Sequence, residues 1–101
     1  MALPPRDHHI SLAQAQVMTQ RYQGKFPSAK TAGAFHGDQV DALLRQPGCV
    51  ALRIYYGLND QMENALILVG VNGDDQDMTD GDILEVCLPC PPFCTDGEGG
   101  L

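Results

Sequence analysis

The stretch that most constrains the fold is the segment from Cys49 to Val71, CVALRIYYGLNDQMENALILVGV. Its first arm is rich in β-branched, aromatic and aliphatic residues, and its second arm is an unbroken apolar run apart from Gly70. The residues between the arms, GLNDQMEN, include a glycine, two asparagines and two acids, which are typical of turns. The pattern predicts a β-hairpin around which the rest of the chain is arranged.

A third strand is predicted over residues 83–88, where leucine and valine alternate with Glu85 and Cys87. The short connections favour an antiparallel meander of three strands. Turns centred on Asp60 and Asp77 give registers that agree on one apolar face, which supports the alignment because a one-residue slip would invert a strand. The predicted core face consists of Val50, Leu52, Ile54, Leu66, Leu68, Leu84, Val86 and Leu88.

Two helices are predicted before the hairpin. Ser11 and Gln14 fit a capping box at the start of the first helix, which runs from about Leu12 to Gln23. Asp38 is a suitable cap for the second helix, whose apolar positions 40, 43 and 44 have the spacing of a buried face. We therefore expect an α+β fold in which two helices pack on one face of a three-strand antiparallel meander.

The length of 101 residues suits one domain. Pro4 and Pro5 disfavour regular structure near the N-terminus, and the C-terminal TDGEGGL is polar and rich in glycine. We predict a flexible arm over residues 1–10, a single α+β domain over 11–94 and a disordered tail over 95–101.

The charge balance narrows the classes of partner. Six Lys and Arg stand against thirteen Asp and Glu, a net charge of −7. Nucleic acids and anionic membranes attract basic surfaces, so neither is expected as a partner. No apolar stretch approaches the roughly 20 residues of a membrane span. The N-terminus has no apolar core like that of a signal peptide, so we predict a cytoplasmic protein with reduced cysteines.

The second face of the predicted sheet is apolar apart from Arg53 and Glu85. A monomer rarely exposes such a patch, so either the segment 91–93 or a second copy should cover it. We predict a homodimer, whereas any other protein or small-molecule partner is unknown. The predicted interface residues are Arg53, Tyr55, Ile67, Val69 and Glu85.

The C-terminal cysteines form the clearest candidate ligand site. Cys87, Cys90 and Cys94 are spaced like part of a zinc-ligand array, and His36 is expected near the end of the sheet that Cys87 reaches. Cys49 is expected at the opposite end, some 20 Å away. Alternatively, Cys87 packs as a small hydrophobe while the other two cysteines brace the tail. The predicted cofactor is accordingly either none or Zn²⁺.

Residues 72–82 hold five aspartates, which suggests a calcium loop. The spacing does not match an EF-hand, however, so a solvated acidic loop is the preferred interpretation. The sequence contains no HExxH motif, no GxSxG elbow and no glycine-rich phosphate loop, and we predict no catalytic residues.

Four short elements occur in order along the chain: QPGC at 46–49, RIYYG at 53–57, LVGV at 68–71 and CPPFC at 90–94. Together they resemble a group of small uncharacterised bacterial proteins, and the resemblance implies no particular activity. We therefore predict a small soluble, non-enzymatic binding or accessory module. The alternatives are a zinc-binding protein that uses the cysteine cluster and a small thiol-dependent enzyme.

Overall fold

The computed structural model describes residues 2–95 and 100–101. Over these residues the chain forms two helices and five strands, which confirms a mixed α+β structure. The helices are α1 (Leu12–Lys25) and α2 (Gly37–Leu44). The strands are β1 (Ala32–Ala34), β2 (Cys49–Leu58), β3 (Asn64–Asn72), β4 (Ile83–Leu84) and β5 (Leu88–Cys90).

The described chain forms two compact units that alternate along the sequence. The first unit consists of residues 2–5 and Phe35–Cys87, and it contains α2, β2, β3 and β4. The second unit consists of Arg6–Ala34 with residues 88–95 and 100–101, and it contains α1, β1 and β5.

The sequence-based boundaries stay predictions. Residues 2–10 contain no helix or strand. The flexible arm over 1–10 stays a prediction. The same holds for the single domain over 11–94. Most of the tail predicted over 95–101 lies outside the described residues, because residues 96–99 are not among them.

The sheet of the first unit has the strand order β2-β3-β4, with both pairs antiparallel. This order confirms the three-strand antiparallel sheet. The register of each hairpin differs from the prediction by two residues, since Leu68 pairs with Ile54 and with Leu84. An even shift leaves the paired side chains from Ala51 to Leu58, and those of β3 and β4, on their predicted faces.

Both hairpins turn through the same five-residue geometry, over Asn59–Glu63 and Asn72–Gln76. In each turn the backbone N–H of the asparagine donates to the carbonyl of the fifth residue at 3.0 Å. The asparagine Oδ1 accepts the N–H groups of the third and fifth residues at 2.9–3.0 Å. The fourth residue, Met62 or Asp75, has a φ of about 60°. This longer turn moves the centre of the first hairpin from Asp60 to Gln61, which accounts for the shifted register.

The third strand is shorter than the sequence predicts. It is confined to Ile83–Leu84, and Val86 is 93% exposed. Leu88 instead begins β5, which pairs with β1 in the second unit. The alternating pattern of residues 83–88 is therefore divided between two sheets, because the short strand β1 provides a second pairing partner.

The buried residues of the sheet lie on both of its faces. Leu68 of the predicted core face is buried, but Val50 and Ile54 of that face are 65% and 49% exposed. The sheet residues Ala65, Val69 and Val71 are also buried, although they belong to the opposite face. Helix α2 lies against β2 and β3, whereas the packing of α1 on the same face stays a prediction.

Gln46 connects the end of α2 to the loop that precedes β4. Its Nε2 donates to the carbonyl of Leu43 at 2.7 Å, and its Oε1 accepts the N–H of Asp82 at 2.8 Å. A Cβ on Gly81 would lie 2.0 Å from Gln46 Oε1, so a larger residue there would displace the amide of Gln46 from this position. The start of α2 differs from the prediction, because His36 occupies the N-cap and Asp38 lies in the first turn.

In the second unit, α1 begins with the predicted capping box. Gln14 N–H donates to Ser11 Oγ at 3.1 Å, and Ser11 N–H donates to Gln14 Oε1 at 2.8 Å. The helix continues to Lys25, two residues beyond the predicted end, and none of its residues is buried. Neither described helix combines the length and the hydropathy that crossing a membrane requires.

Candidate functional site

The outer edge of β2 is the longest exposed strand edge of the first unit. β2 has ten residues and pairs with β3 on one side only, since no other strand of the described residues adjoins it. The pairing of β2 with β3 is irregular between Cys49 and Ala51, so the regular edge of β2 runs from Ala51 to Leu58.

The hydrogen bond that closes the first turn determines which residues of β2 bond to β3 and which point away from it. Asn59 donates to the carbonyl of Glu63, so Asn59 and every second residue before it bond to β3. The backbone N–H and C=O groups of the alternate residues must point away from β3. Those residues are Leu52, Ile54, Tyr56 and Leu58.

The side chains at these positions are mostly apolar and accessible. Tyr56 is almost fully exposed, and Ile54 and Leu58 are about half exposed. They lie on one face because successive side chains of a strand alternate. The edge thus combines unpaired backbone groups with an apolar stripe.

Arg53 is the only charged residue of β2, and two aspartates of its own chain bind it. The guanidinium donates to Asp75 Oδ1 at 2.5 Å and to Asp77 Oδ1 at 2.7 Å. These bonds, first the one to Asp75, raise the pKa of Arg53 further above its usual value. We call Arg53, Tyr55, Asp75 and Asp77 the aspartate clamp.

Tyr55 completes the aspartate clamp by donating its hydroxyl to Asp77 Oδ2. That hydrogen bond, assisted by Arg53, lowers the pKa of Asp77 below its ordinary value. The same bond raises the pKa of Tyr55, because ionisation of the phenol would place two negative charges together. The clamp holds part of residues 72–82 against β2, so this stretch is not simply a solvated acidic loop.

The predicted interface residues have unequal access to a partner. Val69 is buried and Ile67 is half-buried, whereas Glu85 is exposed just after β4. Arg53 and Tyr55 already use their polar groups within the chain. The participation of these five residues in a dimer stays a prediction.

The four cysteines fall into two classes. Cys90 and Cys94 form a disulfide, while Cys49 and Cys87 are free and half-buried. Cys87 and His36 belong to the first unit, and His36 is an exposed helix cap. The cysteine cluster predicted to bind zinc is thus partly oxidised.

Zinc binding by these residues stays a prediction, and it requires reduction of the disulfide because zinc binds thiolates. Among residues 2–95 and 100–101, no group of three or more His, Cys, Asp and Glu side chains is arranged to hold a metal ion.

Sequence reasoning considered Asp75 and Asp77 only as possible calcium ligands and not as partners of Arg53, and it did not identify Thr31 as a contributor to a site. The asparagines of NDQME and NGDDQ share their spacing from a following Glu or Gln, and this repeat could have predicted the two equivalent turns. Thr31 is 59 residues from its partner Cys90, and no local pattern connects them. No protein-family model, no curated protein and no solved structure matches the chain.

Proposed function

We propose that the protein is a small, non-enzymatic binding module that self-associates through the outer edge of β2. The observation that carries this proposal is the outward-facing backbone of a long strand whose apolar side chains are exposed. Natural proteins protect such edges with prolines, lysines or short strands. The regular part of β2 is long, and its sequence ALRIYYGL contains neither proline nor lysine; the irregularity between Cys49 and Ala51 affects only its first residues.

A second copy is the occupant that this edge suits best. Two β2 strands can pair antiparallel about a two-fold axis, since the outward groups at 52, 54, 56 and 58 recur with the required period of two. The two three-strand sheets would then become one sheet of six strands. Tyr56 and Ile54 of each copy would pack across the axis on the same face.

Local charge favours this pairing as well. The aspartate clamp compensates Arg53, so no uncompensated charge of β2 has to approach its counterpart in the second copy. Pairing at β2 also brings Arg53 and Tyr55 of the predicted interface close to the second copy, although their own backbone groups bond to β3. Ile67 and Val69 follow on β3, one strand further from the axis.

A cytoplasmic location is part of the same proposal. Cys49 and Cys87 are free thiols, which agrees with a reducing compartment. Disulfides that occur in such compartments are usually transient and redox-active rather than structural. The Cys90–Cys94 pair is therefore expected to change its oxidation state there.

A single substitution tests the edge. Tyr56→Pro removes an outward N–H that is not bonded to β3, and proline is tolerated on edge strands at such positions. We expect this variant to fold and to dimerise at least roughly tenfold more weakly, a loss of about 1.4 kcal/mol. Sedimentation at micromolar concentrations measures the effect.

Tyr56→Val is the matched control, because it shortens the side chain but keeps the N–H. We expect it to remain largely dimeric. Tyr55→Pro, one residue away, should instead destabilise the fold, since Tyr55 bonds to β3. A wild-type protein that stays monomeric at high micromolar concentration would contradict self-association and would favour an extended peptide of another protein at this edge.

A further inference from the structure

The Cys90–Cys94 disulfide closes a five-residue loop at the end of β5. The Cα atoms are 4.8 Å apart. Strand pairing holds Cys90 in place, since it lies opposite Ala32 and its carbonyl accepts the N–H of Thr31 at 2.8 Å. Cys90 is half-buried, whereas Cys94 is exposed. A reactant can therefore reach Cys94 more easily than Cys90.

Two residues of the segment that precedes β1 bind the disulfide loop through polar groups. Thr31 Oγ1 lies 3.3 Å from the Cys90 carbonyl oxygen and 3.6 Å from Cys90 Sγ, so its one hydroxyl proton can turn from the carbonyl to the sulfur when the sulfur becomes a thiolate. Lys30 Nζ donates to the carbonyl of Pro91 at 2.9 Å, which brings a positive charge to the same loop. Hydrogen-bond donors and nearby cations stabilise a thiolate relative to a thiol. Cys90 is thus the better leaving group of the pair.

A cleft of about 430 Å³ adjoins the disulfide within the second unit. Its lining includes both cysteines, Phe93, Thr31 and Gln23. The volume is within the range of sites for small organic ligands. The cleft thus has room for a thiol compound beside Cys94.

We propose that the Cys90–Cys94 disulfide is a thiol–disulfide exchange site that oxidises thiols admitted by this cleft. This inference concerns the second unit and does not depend on self-association through β2. The reactant is a thiolate, supplied either by a small thiol of the glutathione class or by a cysteine of an extended peptide.

The reaction proceeds in two steps. The substrate thiolate attacks Cys94 Sγ, a bond forms between these sulfurs, and the Cys90–Cys94 bond breaks with its electron pair leaving on Cys90. A second substrate thiolate then attacks the substrate sulfur of the mixed disulfide, which releases Cys94 as a thiolate. Two thiols are thereby oxidised to one disulfide, and the two cysteines are reduced and accept the two protons.

Reversibility is tested on the Cys49→Ser/Cys87→Ser variant, in which only the proposed site carries sulfur that can react as a thiol. The protein is equilibrated with mixtures of reduced and oxidised glutathione, free thiols are alkylated, and the products are counted by mass spectrometry. We expect the reduced fraction to follow the glutathione ratio in both directions. A pair that stays oxidised in excess reduced glutathione would be structural and would overturn the proposal.

The attacked sulfur is located by mixing the oxidised protein of the same background with reduced glutathione and quenching with an alkylating reagent. Mass spectrometry of the peptides then shows which cysteine carries glutathione. We expect glutathione on Cys94 and the alkyl group on Cys90, and glutathione mainly on Cys90, or equally on both, would contradict the assigned roles. Comparison of glutathione with a peptide that contains one cysteine identifies the source of the thiol by the faster rate.

Thr31 is a positioning residue in this reaction. Thr31→Val should slow reduction roughly two- to tenfold at neutral pH, as expected for loss of one hydrogen bond. It should also move the pH profile of Cys90 alkylation in the reduced protein to higher pH. Thr31→Ser should restore both values, and Thr79→Val in the first unit should change neither. An unchanged pH profile in Thr31→Val would show that Thr31 acts only through packing.

Discussion

Arg53 binds two carboxylates at once, and one of them also accepts the hydroxyl of Tyr55. The side chains of Arg53 and Asp77 are 31% and 23% exposed, so solvent screens the pair only in part. An arginine fork suits two separate carboxylates because its five donors are fixed in one plane. The aspartate clamp therefore fixes residues 75–77 against β2 more firmly than a single surface ion pair would.

The stability of the aspartate clamp should depend on pH. Because the folded-state pKa of Asp77 is lowered, its contribution is full above the unfolded-state pKa and disappears as the pH falls through the folded-state value. Asp77→Asn should consequently be less stable than the wild type near neutral pH, and the difference should narrow in acid. Urea unfolding at several pH values measures this difference.

Asp80→Asn is the control for that measurement, since Asp80 is exposed in the same loop. It should change stability little at any pH, as exposed substitutions usually do. A loss in Asp77→Asn that is independent of pH would mean that packing, and not charge, stabilises the clamp.

The aspartate clamp shows why sequence reasoning failed at this position. Asp75 and Asp77 follow an Asn-Gly pair in a run of aspartates, and local patterns predict a solvated loop. Their partner Arg53 is 22 and 24 residues away. The turn geometry and the strand register bring these charges together, and local composition predicts neither of them.

At the level of elements, the paired turns determine the sheet. Asn59 and Asn72 each satisfy two backbone N–H groups through Oδ1 and place the fourth turn residue in the left-handed region. Asparagine is well suited to this task because its short amide mimics a backbone acceptor. The sequence predicted the β2–β3 hairpin and the alternation of its side chains, but it did not predict the length of the turns or the early end of β4.

Replacing the second asparagine tests its role. Asn72→Ala leaves two backbone donors without the side-chain acceptor, so we expect the free energy of unfolding to fall by about 1–2 kcal/mol. Asn72→Asp keeps the acceptor and should lose less. Chemical denaturation measures both variants.

Asn59→Ala is the matched control for the turn without the aspartate clamp. We expect a smaller loss there, because Asn72 also positions Asp75 for Arg53. If Asn59→Ala and Asn72→Ala lose the same free energy, the clamp is not coupled to the turn.

At the level of the whole molecule, the sequence predicted the α+β class and the three-strand sheet but not the division into two units. The alternation of residues 83–88 predicted one strand, because a period of two does not reveal which neighbouring strand each residue pairs with. The pattern also assigned the core to one face, whereas Leu68 on that face and Val69 and Val71 on the other are all buried. Both faces of β2 and β3 are apolar, so alternation alone cannot select between them.

The net charge of the chain gives the last prediction. Each copy carries −7, so two copies repel each other at long range. The side chains that would meet in the contact proposed at β2 are themselves uncharged. Raising the salt concentration shortens the Debye length from about 30 Å at 0.01 M to about 8 Å at 0.15 M, which screens the repulsion and leaves the contact intact. We therefore expect dimerisation to become several-fold stronger as salt increases over this range.

Sedimentation of the wild type at both salt concentrations tests this expectation, with Tyr56→Pro measured alongside to show that any change arises at β2. The opposite trend, weaker association in salt, would mean that opposite charges hold the copies together. The interface would then lie at charged groups such as Glu85 and the basic residues of α1, and not at the outer edge of β2. The sign of the salt dependence thus distinguishes the two locations, because only charge pairs are weakened by screening.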